Sequence, residues 1–273
     1  MNQWWNKINS GNTFLIIAGP CVLEEEPIVF SIADQLKHIS QLLDLDIVFK
    51  GSFDKANRTS IKSYRGPGLD RGLELLRSVK EKYNLKITTD VHLPSQVDKV
   101  AKIVDIIQIP AFLCRQTDLL LAAGHSGKIV NVKKGQFISP DDTGYIVEKI
   151  NSTGNQKVLL TERGSCFGYH NLIVDFTSLP KMKKYAPVIF DATHSVQKPG
   201  AKAGQSGGER NMIEYLSRAA AAVGVNGLFF EVHPHPEKAL SDRENSLNIK
   251  KLLPLLKMLL RIRQSVINQT GEK

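Results

Sequence analysis

The alternation of short apolar segments with longer amphipathic stretches constrains this chain more than any other feature of its sequence. Eight apolar or β-branched segments of strand length lie at 14–19, 46–53, 86–91, 105–112, 128–134, 157–163, 187–194 and 227–232. The stretches between them have the apolar spacing of helices that bury one face. Regular alternation of this kind indicates parallel strands joined by right-handed crossovers.

The number of strand–helix units sets the fold. Eight units in 273 residues match a closed barrel, for which about 250 residues are typical. We predict an α/β fold, a (β/α)8 TIM barrel forming one domain over 1–273, with an N-terminal extension at 1–12 and a C-terminal helix at about 247–269. An open doubly wound sheet would instead require a G-x-G-x-x-G turn after the first strand. The sequence there is AGPCVLEE.

Composition excludes several classes of protein. A hydrophobic fraction of 42% and a charged fraction of 23% argue against disorder. No run approaches about 18 apolar residues, so we predict no transmembrane helix, and residues 1–12 lack the apolar core of a signal peptide. The three cysteines, Cys21, Cys114 and Cys166, are odd in number and widely spaced, which favours reduced thiols and a cytoplasmic location.

The net charge of +9 has two interpretations. It is the solvated charge of ordinary helix faces, or it attracts an acidic partner such as nucleic acid, a membrane or anionic metabolites. Zinc-finger spacings and RNP-like strands are missing from the sequence, and the basic C-terminal helix resembles an outer barrel helix more than a membrane-surface helix. We predict neither a nucleic-acid partner nor a membrane partner, although charge alone leaves a non-enzymatic anion-binding protein open.

Polar side chains follow every predicted strand. In a barrel these positions converge on one mouth, and such a ring requires a shared ligand or a water-filled site. In chain order they are Cys21, Lys50, Asp90 with His92, Gln108, Lys133, Arg163, His194 and Glu231. The sequence therefore predicts an active site at the carboxyl ends of the strands.

One part of this ring is cationic. Lys50, Lys133 and Arg163 are strand-end residues, and Lys55 and Arg58 lie in the loop after the second strand. Arginine offers a planar fork for a carboxylate or phosphate, and lysine offers a compact charge. Unpaired cations in one mouth would repel one another, so we expect an anionic ligand between them.

A second part of the ring carries metal-ligating groups. A thiolate, an imidazole and carboxylates suit a divalent transition ion, and the first and last strands are neighbours in a closed barrel. The candidates are Cys21, His194, Glu231 and Asp242, with His233 and His235 as substitutes. On spacing alone, a buried structural cysteine and a hydrogen-bonded strand-end histidine are equally compatible with the sequence.

Several motifs resemble those of 3-deoxy-D-manno-octulosonate 8-phosphate synthases over nearly the whole chain. They are IIAGPCVLEE, FKGSFDKANRTSIKSYRGPGLDRGL, TTDVH, QIPAFLCRQTDLL, NVKKGQF, TERGSCFGY, VIFDATHSVQ, SGGER and EVHPHPEKALSD. The DKANRTS loop separates this family from the related heptulosonate 7-phosphate synthases, which use erythrose 4-phosphate and have a K-P-R-T-S type loop. The heptulosonate reaction is the alternative function.

The resemblance implies a reaction and its substrates. Phosphoenolpyruvate would condense with D-arabinose 5-phosphate and water, giving the octulosonate phosphate for lipopolysaccharide-type sugars. It implies a phosphoenolpyruvate site of Lys50, Ser52, Lys55, Gln108, Lys133 and Arg163. Asn57 and Arg58 would contact the aldose phosphate, in the family sometimes across a subunit interface, and we expect a homotetramer. His92, Asp90 and Lys50 would take part in catalysis, with His92 and Asp90 handling protons.

The resemblance also implies a metal. The family has a metal-independent class, with asparagine where this chain has Cys21, and a metal-dependent class, which this chain resembles. A divalent ion (zinc, iron or manganese) held by Cys21, His194, Glu231 and Asp242 is therefore expected, with no organic cofactor. One departure is the segment 243–246, Arg-Glu-Asn-Ser, which is bulkier than the small residues expected there and could alter the geometry at Asp242.

Overall fold

Eight parallel strands form a closed barrel in the computed structural model, which describes residues 2–58, 60–168, 170–202 and 205–270. Each strand pairs with its neighbour in the chain, and the eighth pairs with the first over Leu15–Gly19, which closes the ring. The strands are β1 (Leu15–Gly19), β2 (Ile47–Lys50), β3 (Lys86–Asp90), β4 (Ile106–Ile109), β5 (Ile129–Lys133), β6 (Val158–Glu162), β7 (Val188–Asp191) and β8 (Gly227–His233). The predicted TIM barrel is confirmed.

Helices cover the outside of this ring and one closes its base. They are α1 (Asn2–Asn9), α2 (Glu26–Leu43), α3 (Leu69–Tyr83), α4 (Pro94–Ala101), α5 (Thr117–His125), α6 (Thr143–Asn151), α7 (Ser178–Met182), α8 (Ile213–Val223) and α9 (Leu252–Thr270). Two short hairpins stand on the rim, Ser165–Gly168 with Asn171–Ile173 and Gln197–Lys202 with Gln205–Gly208. A two-residue strand, Leu247–Asn248, pairs with the end of β8.

The basic helix at the C-terminal end of the chain packs on the barrel. Leu252, Leu256 and Leu259 of α9 are fully buried in the main core, so the apolar face of this helix is used in the fold. Among the described residues, no helix combines the length and the apolar character that crossing a bilayer requires.

The base of the barrel interior is a separate apolar cluster. Inward side chains from most strands, including Ile17, Ile129 and Phe229, form this cluster together with residues of α1. Trp4, Trp5 and Ile8 supply the helix side of this contact, and Ile8 has no exposed surface. The N-terminal segment, to which the sequence assigned no structure, is thus a helix that plugs the end of the barrel opposite the mouth.

Shortening Ile8 to alanine is expected to destabilise the protein, because it leaves a cavity in this fully buried contact. Such substitutions typically cost about 2–5 kcal/mol of unfolding free energy. Leu42→Ala is a matched control, since Leu42 lies on α2 with 53% of its surface exposed. The measurement is thermal or urea unfolding of both variants, and equal midpoints would contradict the role of α1 as a plug.

Candidate active site

A cavity of about 740 Å3 opens at the carboxyl ends of the strands. Most of the side chains predicted from the sequence line it, namely Lys50, Lys55, Asn57, Arg58, Asp90, His92, Gln108, Lys133, Arg163, His194 and Asp242. The other three, Cys21, Ser52 and Glu231, are buried in contact with lining residues. Residues separated by more than two hundred positions in the chain therefore meet at one mouth, as the barrel topology requires.

The barrel interior changes from apolar at the base to polar at the mouth, and β5 shows how the sequence achieves this. Alternate residues of a strand face the same side. Ile129 lies in the basal apolar cluster, and Asn131 and Lys133 follow on the same face, both buried. The inward face of a single strand thus supplies first a core residue and then two residues of the site.

Hydrogen bonds between inward side chains join four neighbouring strands and the loop after β2. Thr161 donates to Asn131 Oδ1 at 2.6 Å, and Asn131 Nδ2 donates to Gln108 Oε1 at 3.2 Å. Gln108 in turn donates to one oxygen of Asp90, and Ser52 donates to the other at 2.5 Å. The Asp90 carboxylate can only accept hydrogen bonds. Because this series of hydrogen bonds ends there, the amide orientations of Asn131 and Gln108 are fixed.

Asp90 is ionised in this network. Burial alone would raise its pKa, but the neighbouring Lys50 and Lys55 ammonium groups and the hydrogen bond from Ser52 hold the pKa well below its ordinary value. Burial lowers the pKa of His92, against the attraction of Asp90. The Nδ1 atom of His92 is buried and has no hydrogen-bond partner within the described part of the chain, so this imidazole is neutral and has one nitrogen available.

The two strand-end lysines are paired inside the protein. Lys50 Nζ lies 3.3 Å from Glu231 Oε1 and donates to the Cys21 carbonyl oxygen at 2.7 Å, and Lys133 forms an ion pair with Asp191. Both ammonium groups also lie over the ring of Phe229, at 5.7 and 3.5 Å from its centroid. The premise that the strand-end cations are unpaired is wrong for these two lysines, because carboxylates on β7 and β8 already balance them.

Two of the arginines that line the cavity, Arg58 and Arg163, have hydrogen-bond donors without partners in the described structure. Arg163 Nη2 donates to Gln197 Oε1 at 3.1 Å, and Arg58 Nε donates to the Tyr64 carbonyl oxygen at 2.9 Å. Arg163 Nη1 and Arg58 Nη2 are buried, and neither finds a hydrogen-bond acceptor in the segments that the structure describes. A buried N–H group of a guanidinium without a partner calls for an acceptor, so the demand for anionic ligands rests on these two atoms.

Three of the four expected metal ligands lie together. One ligand atom each from Cys21, Glu231 and Asp242 falls within 4.8 Å of the others, and Cys21 Sγ is 2.9 Å from Asp242 Oδ2. His194 lies at the edge, with Nε2 3.5 Å from Glu231 Oε1 and Nδ1 held by Asp191 at 2.8 Å. The second carboxylate oxygen of Glu231 is buried and unpartnered among the described residues, which fits a cation at this point.

The ionisable side chains of this cluster lie close together, and they shift one another's pKa values. Burial, together with the Asp242 and Glu231 carboxylates, raises the pKa of the Cys21 thiol well above its ordinary value. Burial would raise the pKa of Asp242 too, but His194 and Lys55 keep it low. Lys55 has a raised pKa despite burial, because Cys21, Glu231, Asp90 and Asp242 surround it. A divalent cation would offset the repulsion that keeps the thiol protonated.

The other two histidines near this site have acidic neighbours outside the ligand group. His233 Nδ1 accepts from the His235 backbone N–H at 2.9 Å, and His233 Nε2 lies 3.6 Å from Glu24. His235 is itself exposed. The structure thus favours His194 over these substitutes.

Despite the bulky segment that follows it, the Asp242 carboxylate remains in contact with Cys21 Sγ, at 2.9 Å. Asp242 adopts a left-handed conformation with φ of 46°, which aspartate tolerates better than most residues. Arg243 is exposed on the rim, where its Nε donates to the Ala239 carbonyl oxygen at 2.6 Å. Arg243 thus lines the cavity at its rim.

Three residues of this site were not predicted from the sequence. Asp191 pairs with Lys133 and His194, Gln197 contacts Arg163 and Asp242, and Ser241 accepts from Cys21 at 2.9 Å. Asp191 had a detectable signal, since it lies two residues after Ile189 on the inward face of β7. It was overlooked because that strand was predicted to continue to residue 194, whereas it ends at Asp191.

Comparisons with known proteins cover almost the whole chain. A sequence model of the DAHP synthetase I family matches residues 5–266. A 2-dehydro-3-deoxyphosphooctonate aldolase of Desulfatibacillum aliphaticivorans is 54% identical over 259 residues, 94% of this chain and 95% of the relative. Proteins of the same name from a Cyanothece strain and from Syntrophotalea carbinolica are 52% and 55% identical, covering 95% and 90% of this chain and the same shares of the relatives.

Proposed function

The chain belongs to the DAHP synthetase I family, and within it to the 2-dehydro-3-deoxyphosphooctonate aldolases, and we infer from this that it condenses phosphoenolpyruvate with D-arabinose 5-phosphate. With one water, the products are 3-deoxy-D-manno-octulosonate 8-phosphate and inorganic phosphate. The relatives carry the octulosonate name rather than the heptulosonate name, so the reaction with erythrose 4-phosphate is not favoured.

The observation that carries this function is the pair of arginines in one cavity. Each has a buried N–H group without an acceptor in the described chain, Arg163 directly after β6 and Arg58 in the loop after β2. Two unsatisfied guanidinium groups suit two anionic substrates, one on each. The cavity of about 740 Å3 lies within the usual range of small-molecule sites, about 300–1,000 Å3.

We assign the deeper part of the cavity to phosphoenolpyruvate. Its carboxylate and phosphate would be held by Lys50, Ser52, Lys55, Gln108, Lys133 and Arg163. Since Lys50 and Lys133 are balanced by Glu231 and Asp191, their role is to present N–H donors in fixed positions. The net attraction for the anion then comes mainly from Arg163, whose Nη1 has no acceptor among the described residues.

We assign the rim to the aldose phosphate. Arg58 would bind its phosphate, and Asn57, which is exposed on the rim, would contact its hydroxyls. The aldehyde carbon would then face C3 of phosphoenolpyruvate. Holding two reactants in this way can lower a barrier by about 7–11 kcal/mol.

The reaction forms one carbon–carbon bond and one carbon–oxygen bond from water, and it breaks the carbon–oxygen bond to phosphate. The enol carbon C3 attacks the aldehyde, whose oxygen takes up a proton, and water adds at C2 with loss of its own proton. The C2–O bond to phosphate then breaks as the C2 hydroxyl becomes the ketone, and the phosphate leaves with the bonding electron pair and takes up the hydroxyl proton. His92 is the residue suited to move these protons, because its imidazole is neutral and its Nδ1 is unengaged within the described chain.

Asp90 is better suited to positioning than to proton transfer. Its depressed pKa makes it a poor base, and both of its oxygens already accept hydrogen bonds, from Ser52 and Gln108. We propose that it fixes these two side chains against the phosphoenolpyruvate. Lys50, which bridges Glu231 and the Cys21 carbonyl oxygen, would couple that site to the metal ligands.

We propose a divalent zinc, iron or manganese ion held by Cys21, His194, Glu231 and Asp242, and no organic cofactor. The grouping of three of these ligands and the unpartnered Glu231 oxygen support it. When bound, such an ion polarises an oxygen of the substrate or of water. Asp191 would orient His194 by accepting from Nδ1, which leaves Nε2 for the ion.

Assembly, location and pathway are further proposals. Exposed aromatic side chains beside the mouth, Phe112 at 55% and Phe137 at 60% exposure, favour burial against other subunits, and we propose a homotetramer. The thiols of Cys21 and Cys114, which form no disulfide, suit a reducing compartment, and we propose a cytoplasmic location. The product would serve the synthesis of lipopolysaccharide-type sugars.

Comparison of two aldoses tests the proposed function. Phosphate release from phosphoenolpyruvate is measured with arabinose 5-phosphate and with erythrose 4-phosphate under the same conditions. We expect a much higher kcat/KM with the five-carbon sugar phosphate. Preference for erythrose 4-phosphate would overturn the assignment in favour of the heptulosonate reaction.

A further inference from the structure

Gln197 connects the two chemical halves of the site. Its Oε1 accepts from Arg163 Nη2 at 3.1 Å, and its Nε2 donates to Asp242 Oδ1 at 2.8 Å. Arg163 belongs to the assigned phosphoenolpyruvate site and Asp242 to the metal-ligand group. A single amide therefore spans the distance between a cation that binds substrate and a carboxylate that faces the metal position.

The chemistry of both partners fixes the orientation of this amide. A guanidinium carries only donors and an ionised carboxylate carries only acceptors. Flipping the Gln197 amide would set its NH2 group against Arg163 and its oxygen against Asp242, losing both hydrogen bonds. Glutamate would lose the donor toward Asp242, and an apolar side chain would lose both contacts.

The backbone of Gln197 is fixed as well. Its N–H donates to the His194 carbonyl oxygen, at the end of the 3-10 turn His194–Val196. It also begins the rim hairpin, in register with Gly208. The backbone thus limits how far the Gln197 side chain can shift. Any shift that remains changes its hydrogen bonds to Arg163 and Asp242.

Both partners of Gln197 have a second contact that ligand binding would change. Arg163 has an unpartnered Nη1, and an anion bound there would reorient its guanidinium. Asp242 Oδ2 contacts Cys21 Sγ at 2.9 Å, and a metal would replace that contact. Anion binding would therefore change the Arg163 end, and metal binding the Asp242 end, of the hydrogen bonds that run through Gln197.

We propose that Gln197 is a positioning residue that makes phosphoenolpyruvate binding and metal binding mutually dependent. This rests on the proposed function for the identity of the anion and of the metal site. By linkage, an anion that raises metal affinity is itself bound more tightly by the same factor when the metal is present. For favourable coupling of this kind we expect a factor of about 5 to 150.

The test measures the coupling rather than activity. The affinity of the metal-free protein for Mn2+ is determined by electron paramagnetic resonance, without and with saturating phosphoenolpyruvate, and the ratio of the two values is the coupling factor. In Gln197→Met, which keeps the length of the side chain but removes both polar contacts, we expect a ratio near one, with binding of each ligand alone retained. Gln197→Glu should weaken Mn2+ binding, because two facing carboxylates retain a shared proton that the metal must displace from Asp242.

Lys198→Ala is the matched control. Lys198 is adjacent in the same hairpin, but its ammonium pairs with Glu209 at 2.7 Å, so the variant should keep the native ratio. A native ratio of one, or a native ratio retained in Gln197→Met, would overturn the coupling and leave the proposed function intact. Failure of the native protein to bind phosphoenolpyruvate would overturn the proposed function, and the coupling with it.

Discussion

Replacing Arg163 with alanine is expected to lower kcat/KM for phosphoenolpyruvate by about 10^2- to 10^4-fold. Hydrogen bonds to charged groups contribute about 1.5–3 kcal/mol each, and a bidentate contact between a guanidinium and a carboxylate or phosphate contains two. The effect should be large because Arg163 is 5% exposed, so its hydrogen bonds to the anion are shielded from competing water. Steady-state kinetics at saturating arabinose 5-phosphate measures the change.

Two further variants isolate the cause. Arg163→Lys keeps a positive charge but loses the planar fork, so its kcat/KM should fall between those of the native protein and the alanine variant. Arg218→Ala removes a guanidinium that is 47% exposed on α8 and should leave the kinetics unchanged. Unaltered kinetics in Arg163→Ala, in a variant that melts like the native protein, would remove Arg163 from the phosphoenolpyruvate site.

Removal of the metal is expected to reduce kcat by about 10^3-fold or more, since a Lewis acid contributes several kcal/mol to a reaction of this type. The protein is dialysed against a chelator, the loss of metal is verified by elemental analysis, and zinc, iron or manganese is added back singly. Activity should return with at least one of them. Full activity in verified metal-free protein would show that the metal-dependent assignment is wrong.

Cysteine variants assign the ligand. Cobalt added to the metal-free protein should produce thiolate-to-cobalt charge-transfer absorption, because Cys21 lies within 4.8 Å of two other ligand groups. Cys21→Asn should lack that band, whereas Cys114→Ser should keep it, since Cys114 is a buried thiol outside the cluster. A band that survives Cys21→Asn would exclude this thiolate from the site.

The barrel and its mouth were predictable because local sequence determines both. Inward and outward faces alternate along each strand, so apolar runs locate the strands, and barrel closure then brings their ends together. What the sequence could not show were the ion pairs across the mouth. Whether Lys133 faces Asp191 or solvent depends on the registers of β5 and β7, which are set by the whole sheet.

Helix α1 and the role of Gln197 were also not predictable from the sequence, again for physical reasons. Helix α1 spans only Asn2–Asn9, too short to be stable alone, and its burial depends on a barrel base formed by residues far along the chain. Gln197 lies in a glycine-rich segment typical of loops, and its importance comes from Arg163 and Asp242, which approach it in space only.

The stoichiometry of the reaction tests the central claim most directly. Metal-loaded protein is incubated with phosphoenolpyruvate, with and without arabinose 5-phosphate, and phosphate release and product mass are measured together. We predict one phosphate and one eight-carbon sugar acid phosphate for each phosphoenolpyruvate consumed, and only when the aldose is present. Phosphate release without the aldose, or consumption of both substrates without the eight-carbon product, would contradict the account.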